Sequence, residues 1–326
     1  MAPSYRSIDY SLRPGKYVER RMLSEALRKL HPFAAIDSYR YIGMGSIWFT
    51  DFAHFHRTLG ITDMVSIERE AQHKARFEFN KPFASIELRF KSTTVELPQL
   101  DWSIRSITWL DYDDRLVKSM LADARVVAGR ACPGSVLILS AQVEGPPLAM
   151  KQDEDGEETE REVDGIEDLR QRYGAGSVPN DATDADLKGW ALATLVRKMF
   201  VLEIEDEIAK RNAGRPPNQK LEFRQFVAFE YADGAKMTTI GGIIIDQGQQ
   251  ALLQSCGFDA LPFYRGGADA VRLTVPILTP REMRFLDAKL PVLAGQELLP
   301  EPIPGRDAAS YAALYRYLPN FSPLEN

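Results

Sequence analysis

Between residues 33 and 140 the apolar pattern switches repeatedly between short strand-like runs and amphipathic helical spacing, and this alternation restricts the possible folds most. Strands are predicted at 35–42, 61–67, 84–93, 105–111 and 135–140, with helices between them at 46–59, 68–80 and 114–129. Ser46 is placed to cap the second of the chain's helices and Gly60 to stop it. Strands joined through helices need crossover connections, so the order predicts a doubly wound, mostly parallel sheet covered on both faces. The run Ser135–Leu139 is apolar enough for a strand buried on both sides. Beyond it a helix is predicted at 185–211, then two alternating strands at 221–231 and 236–246 turned by Ala232-Asp233-Gly234. An amphipathic helix is expected at 16–30, ended by His31-Pro32, and one more at 280–289 within an otherwise irregular, Pro-rich tail.

These segments suggest an N-terminal helical extension (1–32), one domain (33–246), and a C-terminal extension (247–326) packed on that domain. At 326 residues, with 44% hydrophobic and 10% aromatic content, the chain can bury a core and is not a disordered polymer. No apolar run reaches the roughly 18 residues that span a bilayer, so neither an anchor nor a secretory signal is read, and no membrane partner is expected. Two cysteines, Cys132 and Cys256, cannot form a disulfide framework, and a reduced, cytoplasmic setting is the expectation; a bacterial source is expected separately from them.

The net charge of −6 is unevenly spread. Residues 151–168 hold ten acids against two bases, leaving the rest of the chain at +2. This stretch has no apolar period, and an acidic, disordered, solvated insertion is expected over about 149–168. The first forty residues carry eight Lys/Arg against four acids. They form either a basic face for an anionic partner such as a nucleic acid or a merely solvated helix, and bulk charge does not indicate the former.

Residues 38–68 carry the chemical signal. A strand ends in Tyr41-Ile42-Gly43-Met44-Gly45, a helix follows at once, and the next strand ends in Glu68. In doubly wound sheets ligands bind beyond the carboxyl ends of the strands. There glycines admit a close backbone approach, and an acid ending the second strand can accept hydrogen bonds from a ribose diol. The third glycine of the dinucleotide fingerprint is replaced by Trp48, which argues against a nicotinamide cofactor.

Over about residues 33–246 this order resembles the class I S-adenosylmethionine-dependent methyltransferases. The resemblance rests on Gly43-Met44-Gly45 as first motif, Glu68 as ribose acid, Leu110-Asp111-Tyr112-Asp113 ending the fourth strand, and Ala131–Ile138 as the turn into the fifth. It implies a seven-stranded, mostly parallel sheet with an antiparallel last strand supplied by the 221–246 hairpin. It implies S-adenosylmethionine as cofactor, held by Tyr41, Gly43, Gly45, Glu68, Thr93 and Asp111. Tyr41 stands where the family has an acid, and Ser92-Thr93-Thr94 where an adenine-contacting Asp is common. Asp111 and Asp113 are the catalytic candidates, with no metal site. Arg13–Lys16, with Glu19 and Arg20, would fold over the cofactor mouth, as N-terminal helices do in the family. The implied activity is methyl transfer to an oxygen or nitrogen acceptor of unknown identity. The alternative is a catalytically inactive methyltransferase fold serving as a binding or assembly module in bacterial nucleic-acid handling or defence.

Elsewhere the bland readings lead. His54 and His56 lie two apart on a helix and cannot share a metal, the cysteines read as packing residues, and Trp48, Phe49, Phe52 and Phe55 read as a buried helix face.

Overall fold

The computed structural model describes residues 13–152, 158–292 and 297–319. Helix α1 (Pro14–Arg28) has Pro14 in its first turn, where a missing N–H is tolerated, and buries Val18, Met22, Leu23, Ala26 and Leu27. The βα units follow as β1 (Arg40–Gly43), α2 (Thr50–Leu59), β2 (Asp63–Ile67), α3 (Lys74–Asn80), β3 (Ile86–Arg89), α4 (Thr93–Glu96), β4 (Ser106–Arg115), α5 (Lys118–Arg130) and β5 (Val136–Gln142). All pairings among these five strands are parallel, in the order β3-β2-β1-β4-β5. After a separate hairpin of β6 (Leu148–Gln152) and β7 (Glu158–Glu162) come α6 (Ile166–Tyr173) and α7 (Gly189–Arg211). Strands β8 (Leu221–Ala232) and β9 (Lys236–Asp246) return as an antiparallel pair, with β9 laid antiparallel against β5. The chain continues through α8 (Gln250–Cys256), β10 (Val271–Arg272), α9 (Pro280–Asp287) and α10 (Gly305–Leu314).

The doubly wound α/β class and the antiparallel strand are as expected; the strand count is not. Eight strands form the sheet, because β10 pairs parallel with the outer edge of β8. Two residues are too few to show a period in sequence, yet they satisfy an edge that would otherwise expose unpaired backbone groups.

Alternation along each strand divides the interior into two layers. Tyr41, Ile107, Trp109 and Ile138 face α1, α2 and the C-terminal segment. Ile42, Leu110, Leu137 and Leu139 face α5 and α7. The tail contributes Phe258, Phe263, Leu273 and Tyr317 to the first layer, so it is more ordered than the predicted irregular stretch.

The acidic segment also departs from expectation. Its flanks pair as β6 and β7, and the part of the insertion at 153–157 lies outside the described residues. Bases meet two of the flanking acids: Arg115 contacts Glu162 at 2.6 Å, while Arg161 and Arg172 reach Asp168 at 3.0 and 2.6 Å. A local charge count could not include Arg115 or Arg172.

Helix α2 begins at Thr50, later than predicted, because Ser46 and Phe49 adopt left-handed backbone (φ 48° and 47°). Phe49 thereby turns its ring fully into the core, whereas Trp48 remains 42% exposed and does not join the predicted aromatic face. Gly60 (φ 74°) ends α2 as expected.

Candidate active site

The carboxyl ends of β1, β2, β4 and β5 open toward one edge of the sheet, and the first turn of α1, which packs on the Tyr41–Trp109 face, reaches that edge. The amides of Gly15 and Lys16 donate to the Asp233 carboxylate in the β8–β9 turn at 3.1 and 2.8 Å. Helix α1 has no capping side chain of its own, so Asp233 satisfies its first donors from elsewhere in the chain.

This clasp brings Lys16 to Asp111. The Lys16 Nζ donates to Asp111 Oδ1 at 2.5 Å, lies 2.8 Å from Glu19 Oε2, and sits 4.2 Å above the centre of the Trp109 ring. Burial would lower the Lys16 pKa, but the carboxylates of Asp111 and Glu19 outweigh it and hold Lys16 above its ordinary value. Burial pushes the Glu19 carboxyl upward, only partly opposed by Lys16. Arg20 lies 3.9 Å from Asp51, which accepts a 2.7 Å hydrogen bond from the Tyr41 hydroxyl. Burial raises Asp51 as well, against the pull of Arg20. Of the basic N-terminal residues, then, Lys16 and Arg20 form no outward basic face; they are buried and spent on internal carboxylates.

Several buried polar atoms of this cluster lack a well-directed hydrogen bond: both Glu19 carboxylate oxygens, Arg20 Nε and the Tyr231 hydroxyl. Such groups are costly to leave unsatisfied.

The β1–α2 loop forms the other half of the edge. Ser66 in β2 accepts from the Gly45 amide at 3.0 Å and donates to Glu68 Oε1 at 2.7 Å. Burial drives the Glu68 carboxyl up to about 7, although Ser66 and the loop amides of Gly45 and Ser46 favour its ionised form. The space beside the two glycines is filled by the chain's own side chains. A Cβ on Gly43 would come within 2.7 Å of the Tyr41 hydroxyl, and one on Gly45 within 2.6 Å of the Phe49 ring.

The remaining candidates are more scattered. Asp113 lies on the Lys16 side of β4, 3.9 Å from Arg13. Thr93 opens α4 and donates its hydroxyl to Asp123, which also accepts from Tyr112 at 2.8 Å. That group belongs to the α5 side of the sheet, away from Lys16. His54 and His56 bond separately, to Ser24 and to the Ile61 carbonyl, and burial lowers His54 to about 4. Among the described residues, no group of three or more His, Cys, Asp or Glu side chains could hold a metal ion. No helix among them is long and apolar enough to cross a membrane.

Asp51, Trp109 and Tyr231 escaped the sequence reading. Asp51 in the first turn of α2 resembles any exposed helix-start acid, and only the fold reveals that Tyr41 and Arg20 close over it.

A family model described as "Putative O-methyltransferase" matches residues 8–326. No curated protein matches the chain. Among solved structures, an O-methyltransferase from Bacillus cereus in complex with SAH is similar at 13% identity, covering 72% of this chain and 82% of that one, with a TM-score of 0.35. An S-adenosylmethionine-dependent methyltransferase from Mesorhizobium loti is similar at 14% identity over 63% of this chain and 90% of that one, with a TM-score of 0.30.

Proposed function

The chain belongs to the family described as "Putative O-methyltransferase", and from that premise we propose that it transfers a methyl group from S-adenosylmethionine to an oxygen acceptor. The observation that carries this reading is Glu68. A nearly buried carboxylate ends β2, gripped by Ser66 beside the β1–α2 loop, where a ribose diol could donate to it.

The residues present fit that cofactor. Glu68 offers acceptor capacity for the diol. Buried Arg20 Nε and the Tyr231 hydroxyl, which lack hydrogen-bond partners, and the Glu19 carboxylate beside Lys16 offer both signs of polarity, as an amino-acid moiety requires. Tyr41, Gly43 and Gly45 would shape the loop, with Tyr41 bracing it through Asp51 rather than contacting the ligand. Thr93 would act at one remove, through Asp123. When bound, S-adenosylmethionine supplies an electrophilic methyl group.

The chain's own contribution is to align the acceptor, exclude water and move a proton. Helix α1 roofs the edge with Lys16 and Glu19 beneath it, which removes water from around the charges and strengthens their fields. Lys16 takes one oxygen of Asp111 and fixes the carboxylate, so that its second oxygen can remove the acceptor hydroxyl proton. Asp113, further out and paired with Arg13, would hold α1 closed rather than touch the reacting atoms.

Isothermal titration with S-adenosylhomocysteine on dialysed protein tests the proposal. One saturable site is expected, weakened roughly tenfold to a hundredfold in Glu68→Gln by loss of charge-assisted hydrogen bonds. Absence of binding at millimolar ligand would sink it.

A further inference from the structure

The main sheet ends differently at its two edges. At one, β10 covers β8; at the other the sheet stops at β3, whose only strand neighbour among the described residues is β2. Each residue of a strand points its N–H and C=O to one side, and that side alternates along the chain. Arg89 turns toward β2, where its carbonyl accepts from the Glu68 amide at 2.8 Å. Leu88 therefore turns its N–H and C=O to the open side. The pairing of β2 with β3 runs in unbroken register from Ile86 to Arg89, so no bulge bends this edge away. Such an edge is a template for a further strand.

The side chains decide which strand fits. Ile86 is buried in the first core layer with Phe77 of α3, and Leu88 packs against that layer. Glu87 and Arg89 lie on the opposite face, 2.8 Å apart, with Arg89 3.5 Å from Glu96 of α4. Charges on an edge strand commonly keep a second copy off, which requires like signs to meet. Here the signs are opposite and two residues apart, so the strand is its own electrostatic complement. The two helices that flank β3 in the chain add apolar surface open to solvent: Phe79 of α3 is 87% exposed and Val95 of α4 is 46% exposed.

We propose that β3 pairs antiparallel with β3 of a second copy of this chain, about a two-fold axis at Leu88, so that the sheet continues through both copies. Leu88 then meets Leu88 of the second copy as a hydrogen-bonded pair, each N–H donating to the other's carbonyl. On the α4 face, Glu87 of each copy stands across from Arg89 of the other, giving two cross-strand pairs of opposite charge. These charges set the register. A slip of two residues puts Glu87 against Glu87 in one direction and Arg89 against Arg89 in the other, and a slip of one turns the apolar residues to the charged face. The inference does not depend on the methyltransferase reading, because it uses the outer side of β3 and not the side chains of Asp111 or Glu68.

Sedimentation equilibrium on the full chain tests the pairing. A monomer–dimer equilibrium with a Kd of roughly 10 µM is expected. Glu87→Arg and Arg89→Glu each set like charges across the axis twice and should weaken dimerisation about tenfold or more. Mixed in equal amounts, the two variants present opposite charges at both cross-strand positions. They should form a one-to-one heterodimer about as tight as the parent, which also shows that both chains are folded. Leu88→Pro removes the N–H at the axis from an edge position that tolerates proline. It should give a monomer whose melting temperature matches that of dissociated parent. A parent that stays monomeric at roughly 500 µM would overturn the pairing. So would undiminished dimerisation in either charge variant or in folded Leu88→Pro, or a mixture that associates no more tightly than its components.

Discussion

Glu68 concentrates the residue-scale physics of the candidate site. Its carboxyl titrates near 7 in the folded chain against an ordinary value of 4.5, because burial outweighs its hydrogen bonds. The folded state thus binds this proton more tightly than the unfolded state. The resulting stabilisation is complete below pH 4.5 and is lost as pH rises through 7. Glu68→Gln cannot ionise, so between pH 4.5 and 8 its stability relative to the parent should improve by about 3 kcal/mol, read from urea midpoints at the two pH values. A parallel shift at both values would remove the buried carboxylate from the account. A diol donates to the ionised form, so S-adenosylhomocysteine affinity should rise between pH 6 and 8 in the parent and stay flat in Glu68→Gln. Lys16 makes a complementary case. Lys16→Met strands Asp111 and Glu19 without their cation, an expected loss of about 3 kcal/mol, whereas the same change in an Asp111→Asn background should cost visibly less. Equal costs in the two backgrounds would show that Lys16 and Asp111 are not coupled.

At the scale of elements, the sequence made the strand order legible because each parallel strand is a short apolar run set between helices of different period. The positions of Glu68 and Asp111 could be read for the same reason, since each ends or nearly ends such a run. What could not be read depends on partners distant in the chain. The β6–β7 pairing stands beside Arg115 and Arg172, β10 is two residues long, and the late start of α2 follows from the placement of the Phe49 ring. The roof over the edge is of this kind too. The first amides of α1 are satisfied by Asp233, more than two hundred residues away, and no local cap signal reveals it. Asp233→Ala should therefore behave as the loss of a helix cap, costing about 1 kcal/mol. Amide exchange at Gly15 and Lys16 should accelerate about fivefold while the central strands are unaffected. Unaltered exchange at those two amides would mean that the clasp does not hold α1.

Across the whole molecule, part of the uneven charge is met by internal pairing, with Lys16 and Arg20 turned inward and Glu162 and Asp168 beside the hairpin met by arginines. The same interdependence governs the C-terminal segment, which we propose forms one folding unit with the sheet. Leu314 and Tyr317 share a hydrophobic cluster with Leu23 and Leu27 of α1, and Tyr317 donates to Glu25 at 2.5 Å. The segment therefore supports the element that roofs the candidate site, and separating the two would expose apolar surface on each. All four tryptophans (48, 102, 109 and 190) lie outside α10, and none shares its ring contacts, so their fluorescence reports unfolding of the sheet and not local opening of α10. Leu314→Ala removes a nearly buried side chain and should cost about 3 kcal/mol. In a single cooperative unit that whole loss appears in the tryptophan-monitored urea midpoint, and amide exchange in α10 slows only to the limit set by global unfolding. If α10 instead opens on its own while the fluorescence midpoint stays fixed, the tail is an independent appendage and the roof over Asp111 stands without it.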